Sequence, residues 1–154
     1  MYLHCVYICL LMATCQLAVV NSQSATTSAV TFSVVRTSLL TSDQDPVNIT
    51  YDTIDANEGN GFDKDSGVFV APTSGYYVLH MTMASNTEEK GAIVRMRHKG
   101  EIIVSAFQFN FGVGSNQVIR QLEAGDKVWT ELEAKYTAYS SGSRYMTFSG
   151  FLLN

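Results

Sequence analysis

Two histidines, a stretch dense in aspartate, one basic strand and one Asn-X-Thr triplet carry what chemistry this 154-residue chain offers. His80 and His98 both stand in apolar runs. A general base needs a positioned partner to take its proton, and no such partner is legible beside either one. Both read as hydrogen-bonded structural histidines. The third, His4, and all three cysteines, Cys5, Cys9 and Cys15, fall in the first 22 residues. Asp43, Asp45, Asp52, Asp55, Asp63 and Asp65 crowd one third of the sequence. Asp63-Lys64-Asp65-Ser66-Gly67 invites a calcium-loop reading, but Val68 stands where the obligatory glycine belongs and Ser74 where the bidentate acid belongs. These aspartates read as turn caps and solvated loop residues. Nucleophile elbow, phosphate loop and zinc-ligand spacings are all missing. The chain does not read as an enzyme, and no cofactor is expected.

For binding, the clearest feature is Arg95, Arg97 and Lys99. Period-two spacing puts three cations on one face of a strand, with Lys90 at its entrance. Such a stripe suits phosphates or carboxylates on an acidic surface. The competing reading is an ordinary solvated face, paired across to Glu101, Glu131 or Glu133. Asn48-Ile49-Thr50 is an N-glycosylation sequon, which makes Asn48 a candidate glycan site at the surface. With 10 Lys and Arg against 14 Asp and Glu, net charge is −4, which argues against nucleic acid as a partner.

The elements that must position these residues are strands. Val6 to Ala13 is an apolar core of signal-peptide length, no charged side chain precedes Arg36, and Val20-Asn21-Ser22 suits cleavage. Residues 1–22 therefore read as a signal peptide for secretion. The run is too short for the ~20 apolar residues of a membrane span. A mature chain from Gln23 holds no cysteine, so packing or oligomerisation must stabilise it. Residues 23–29 read as a short flexible tail, without a collagen repeat or heptads.

From residue 30 the pattern is strand after strand. Val30 to Thr37 opens, Val68 to Val70 is short and stopped by Pro72, and Tyr76 to Ala84 is apolar on both faces and belongs in the middle. Asn60-Gly61 marks a tight hairpin. Ala92 to Lys99, Glu101 to Phe109, Gln117 to Glu123, Lys127 to Ala134 and Arg144 to Leu153 follow, with Gly112 to Asn116 read as a loop. Short strands with Gly/Ser/Asn turns and no amphipathic helix give an all-β sandwich.

Five motifs in order then resemble the globular head domain of complement C1q and its relatives. They are Val30-Thr31-Phe32-Ser33; Ile49-x-Tyr51-Asp52-x-Ile54-x-x-Asn57-x-Gly59-x-x-Phe62-Asp63; Gly67-x-Phe69-x-x-Pro72-x-x-Gly75-Tyr76-Tyr77; Leu122-x-x-Gly125-Asp126-x-Val128-Trp129; and Phe148-Ser149-Gly150-Phe151-Leu152-Leu153. The likeness spans residues 30–154. It implies a ten-stranded jelly-roll sandwich, shared with tumour necrosis factor-like cytokines, that assembles as a homotrimer. Two departures stand out: the family's usual collagen stalk is missing, and Val70 or Ala71 replaces a cysteine many members carry. Some members bind calcium near the trimer apex. Glu88 and Glu89 fall in about the right loop, while Lys99-Gly100 occupies a turn where an acid is wanted, so calcium is possible without being predicted.

The resemblance implies a secreted pattern-recognition protein of innate immunity, binding microbial carbohydrate, glycolipid or other charged ligands as a trimer. The alternative is an extracellular signalling ligand, or a matrix or secreted-fluid component, that holds a protein receptor.

Overall fold

The computed structural model describes residues 29–86 and 91–153. The signal-peptide reading, most of the tail, and Glu88, Glu89 and Lys90 lie outside the described residues. Thirteen strands make up the described fold, without a helix among the described residues. In chain order they are β1 (Thr31–Arg36), β2 (Leu40–Thr41), β3 (Val47–Asn48), β4 (Thr53–Glu58), β5 (Phe62–Asp63), β6 (Val68–Val70) and β7 (Gly75–Ser85). They continue as β8 (Ala92–His98), β9 (Glu101–Gln108), β10 (Gly112–Leu122), β11 (Lys127–Leu132), β12 (Thr137–Ala138) and β13 (Met146–Leu152). Ten form two antiparallel sheets, β10-β7-β13-β1-β4 and β5-β6-β11-β8-β9; β3 adds to the second sheet through β11, and β2 pairs with β12. This is the expected ten-stranded jelly roll.

Period-two alternation decides which side chains enter the sandwich. The first sheet sends in Phe32 and Val34, then Tyr77, Leu79, Met81 and Met83, then Met146, Phe148 and Leu152. The second answers with Phe69, Val94, Met96, Val128 and Leu132. Phe32 sits at the meeting point. Its ring centroid is 4.4 Å from that of Phe69 and 5.5 Å from that of Phe62, both stacked, and 4.7 Å from Phe148 edge-on, within the range where offset and edge contacts of aromatic quadrupoles are favourable. Gly150 has no side chain because Phe32 takes the space: a Cβ there would lie 2.7 Å from the Phe32 ring and 2.8 Å from Leu79. Of the two buried phenols in this core, Tyr77 donates to the Thr73 carbonyl oxygen at 2.7 Å and Tyr51 shares a 2.8 Å hydrogen bond with the Thr130 hydroxyl. Burial pushes the Tyr51 hydroxyl well up, and the Thr130 bond offsets part of that.

The middle position expected for β7 holds, since it lies between β10 and β13. Two local expectations change. Gly112 to Asn116 is strand, because all eleven residues of β10 pair with β7, from Gly112 with Ser85 to Leu122 with Gly75. Pairing with a long neighbour overrides the turn propensity of Gly, Ser and Asn. The tight turn also moves back one residue. Positive φ falls on Gly59 (84°) and Asn60 (51°), and the turn carries the chain from β4 in one sheet to β5 in the other. Gly61 is required for another reason: a Cβ would lie 2.7 Å from both the Phe69 ring and the Val70 carbonyl oxygen.

Phe32→Ala is expected to cost about 3–5 kcal/mol, the usual range for truncating a buried phenylalanine. The midpoint of urea denaturation measures it, and a cost under about 1 kcal/mol would remove Phe32 from its central place in the core.

Candidate ligand-binding surface

The basic strand is β8, and its alternation is as the sequence predicts: Val94, Met96 and His98 are buried while Arg95 and Arg97 are half-exposed. Arg95 stands across from Glu131 in the β8–β11 register, and Arg97 across from Trp129. Every cation of the stripe meets a carboxylate. Arg97 Nε donates to Glu131 Oε2 at 2.7 Å, and Trp129 Nε1 donates to Glu131 Oε1 at 2.9 Å. Arg95 forms an ion pair with Glu133. Lys99 leaves the strand face: with Gly100 it makes the β8–β9 turn, both at positive φ. Its amine reaches Asp126 Oδ1 at 3.1 Å and Glu123 Oε2 at 3.5 Å. Of the three acids expected opposite the stripe, Glu131 and Glu133 are there, while Glu101 pairs with Arg120 at 3.6 Å. The structure thus gathers Arg95 and Arg97 into one cross-strand ladder and sets Lys99 apart at the end of the sandwich.

His98 shows why a histidine in a strand can be structural. It is buried, with Nε2 3.0 Å from Asp126 Oδ2. Its Nδ1 accepts from Arg120 Nε at 3.3 Å. The arginine can only donate, so the proton sits on Nε2 and is given to Asp126. Both ring nitrogens are occupied, leaving neither to act as a base. Asp126 also accepts the Glu123 backbone N–H at 2.9 Å. That bond first, then those from Lys99 and His98, hold its carboxyl down to about 2 against the opposing desolvation. His80 instead points outward from β7, half-buried, across from Gln117 and Ser149.

Sequence reading missed Asp126 and Arg120 as the partners of His98. The Gly125-Asp126 turn was visible, but a contact between residues 98 and 126 depends on how the strands fold over. Of the aspartates, Asp63 caps a turn as expected, Asp52 bridges to Thr37, and Asp55 lies on β4 in an ion pair with Arg144. Asp63 Oδ1 accepts the Asp65 N–H at 3.1 Å and Oδ2 the Ser66 hydroxyl at 2.5 Å. Asp52 accepts the Thr37 N–H at 2.8 Å and hydroxyl at 3.0 Å. Among the described residues no group of three His, Cys, Asp or Glu gathers to hold a metal ion. Asn48 is exposed on β3, in reach of a glycan. No helix of the described residues is long and apolar enough to cross a membrane.

Comparison with known proteins gives the family. A family model of the C1q domain matches residues 31–153. The chain belongs to the C1q domain family. Human complement C1q tumor necrosis factor-related protein 3 is 29% identical over 109 residues, which is 68% of this chain and 44% of that protein. Zebrafish Caprin-2 is 33% identical over 129 residues, 80% of this chain and 14% of its own length. The chain therefore spans less than half the length of these curated relatives. Among solved structures, the globular domain of zebrafish complement 1qA superposes with a TM-score of 0.66 at 22% identity, covering 82% of this chain and 98% of that one. Eiger TNF from S. frugiperda gives 0.68 at 9% identity, covering 82% and 94%. These likenesses establish the C1q/TNF jelly roll. C1q-domain proteins are in general non-enzymatic binding proteins.

A carboxylate held below its ordinary value of about 3.9 stabilises the fold above that value. Its contribution fades as pH falls from there towards 2. Wild-type protein is therefore expected to lose stability between about pH 4 and pH 2, and Asp126→Asn to flatten that part of the profile. Urea midpoints collected across this window check it, and parallel profiles for the two proteins would contradict it.

Proposed function

We propose that this chain is a secreted, non-enzymatic C1q-domain protein of innate immunity that works as a homotrimer and binds microbial carbohydrate or other charged ligands. One observation supports its assembly. The outward face of the first sheet bears a continuous apolar row, Ile119-Val78-Phe151, set by the β10–β7 and β7–β13 registers. Ile119 is 58% exposed, Phe151 47%, and Tyr76 beside them 55%. Apolar side chains grouped on one face mark an interaction surface. Trimeric assembly is general among C1q/TNF relatives, and a closed ring of three copies would cover this row.

A trimer also explains how modest contacts become useful. Three linked sites raise avidity by about 10²–10⁴ over one, so each site can remain weak. Arg95, Arg97 and Lys99 stay the candidate contacts of the sequence reading, on the outward face and end of the second sheet, away from the apolar row. In this reading the outward surface meets ligand and the apolar row meets other copies. A glycan at Asn48 would sit on the β3 edge of the second sheet, clear of the apolar row.

The double variant Ile119→Glu/Phe151→Asp is expected to remain folded by circular dichroism and to run as a monomer by light scattering. Its binding to whole microbes should fall about 100-fold. A trimeric double variant would sink the assembly reading. A wild-type trimer that binds no microbe or microbial glycan, with or without calcium, would overturn immune recognition and favour a protein receptor.

A further inference from the structure

The Arg–Glu ladder on the outward face of the second sheet ends in a cleft of about 560 Å³ beside the loop between β9 and β10. Gly91, Ile93, Phe109 and Tyr136 are among the residues that line it. Phe107, outside that lining, stands directly across from Ile93 in the β8–β9 register. The three rings run in sequence, Phe107 to Phe109 at 5.9 Å and Phe109 to Tyr136 at 6.4 Å between centroids. Phe107 is 66% exposed and Phe109 50%. Ring faces left in water are costly, and they present negative π-density suited to the weakly positive C–H face of a sugar ring.

Charge around the cleft narrows the choice of sugar. Glu133 lines it, but its Oε2 is shut away from solvent and held against Arg95. Lys135 lines it too, is exposed, and makes no ion pair with a described residue. Among the described lining residues, the Arg95 and Glu133 charges compensate each other and Lys135 is the one charge left over. A volume of this size accommodates a small ligand. Apolar lining residues, a run of three rings and one uncompensated ammonium group match a ligand with a C–H face and a single anionic substituent.

We propose that this cleft binds an anionic pyranose, a sugar residue bearing a carboxylate or sulfate, with its C–H face on Phe107 and Phe109 and its anionic group at Lys135. The proposal rests on the carbohydrate-binding reading above and assigns it a site. It lies on the opposite outward face of the sandwich from the apolar row.

The test is titration calorimetry on the intact trimer with three probes: an oligogalacturonate, its carboxyl-reduced neutral counterpart, and a sulfated galactan oligosaccharide. Preference for either anionic probe over the neutral one is expected, with the two anionic arms telling carboxylate from sulfate. Phe109→Ser should weaken binding about tenfold through lost stacking. Lys135→Gln should abolish the preference for charge and flatten the salt dependence. Lys127→Gln, the same charge change at the far end of β11, should do neither. Trimer size and melting temperature, followed for each variant, separate loss of the site from loss of the fold. Equal binding of neutral and anionic probes, or binding that survives both cleft variants, would overturn the proposal. If the wild type then still bound other microbial glycans, carbohydrate recognition would stand without this cleft; if it bound none, both would fall.

Discussion

Phe32 wedged between Phe69 of one sheet and Phe148 of its own is the contact on which the rest depends. The sequence holds no cysteine after Cys15, so no disulfide joins the described strands. Adhesion between the sheets is left to apolar burial and close packing, which penalise any mismatch in shape. That explains several otherwise odd choices. Gly150 stands in the middle of β13, where glycine is a poor strand former, because Phe32 fills the place of its side chain. Tyr51 brings a hydroxyl into the core and Thr130 supplies the partner that makes it tolerable. Gly61 lets the chain pass close under Phe69 as it changes sheets.

Where the sandwich ends, packing gives way to a polar closure. His98 is buried at the end of β8, and a buried polar group without a partner costs more than a hydrogen bond returns. Asp126 and Arg120 satisfy its two nitrogens from opposite sides, one from the turn before β11 and one from β10. Lys99 and the Glu123 backbone then complete the environment of Asp126. The network ties the end of β8 to β10 of the other sheet. A residue whose type suggests catalysis is committed here to structure.

Much of this was legible in the sequence because strand alternation is local information. Val94, Met96 and His98 against Arg95 and Arg97 needs nothing beyond a period of two, and the same holds for Val128, Thr130 and Leu132 against Trp129, Glu131 and Glu133. The acids opposite the basic strand were also foreseeable, since like alternation in two adjacent strands brings opposite charges into register. What could not be read depends on contacts distant in sequence. Gly112 to Asn116 has the composition of a loop and became strand only because β7 offered eleven residues to pair with. The Phe107, Phe109 and Tyr136 cluster joins segments nearly thirty positions apart, and phenylalanines in a strand pattern read as core until their exposure is known.

The two outward faces of the sandwich have solved the problem of exposure differently. On the second sheet, Arg97 pairs with Glu131 and Arg95 with Glu133 across the outward face, and Trp129 donates to the same Glu131. These pairs are partly buried, so desolvation offsets part of their mutual attraction. On the first sheet, Thr31, Ser33 and Ser149 share the face with Ile119, Val78 and Phe151, and no charged ladder protects the apolar row. A face that carries an apolar row without a ladder of paired charges favours contact with a matching surface, whereas a face covered by paired charges resists it. Assembly through the first and ligand contact on the second is the division of labour that this asymmetry favours. It also places the proposed cleft sensibly, because aromatic rings beside a hydrated ladder can admit a polar ligand without inviting another sheet.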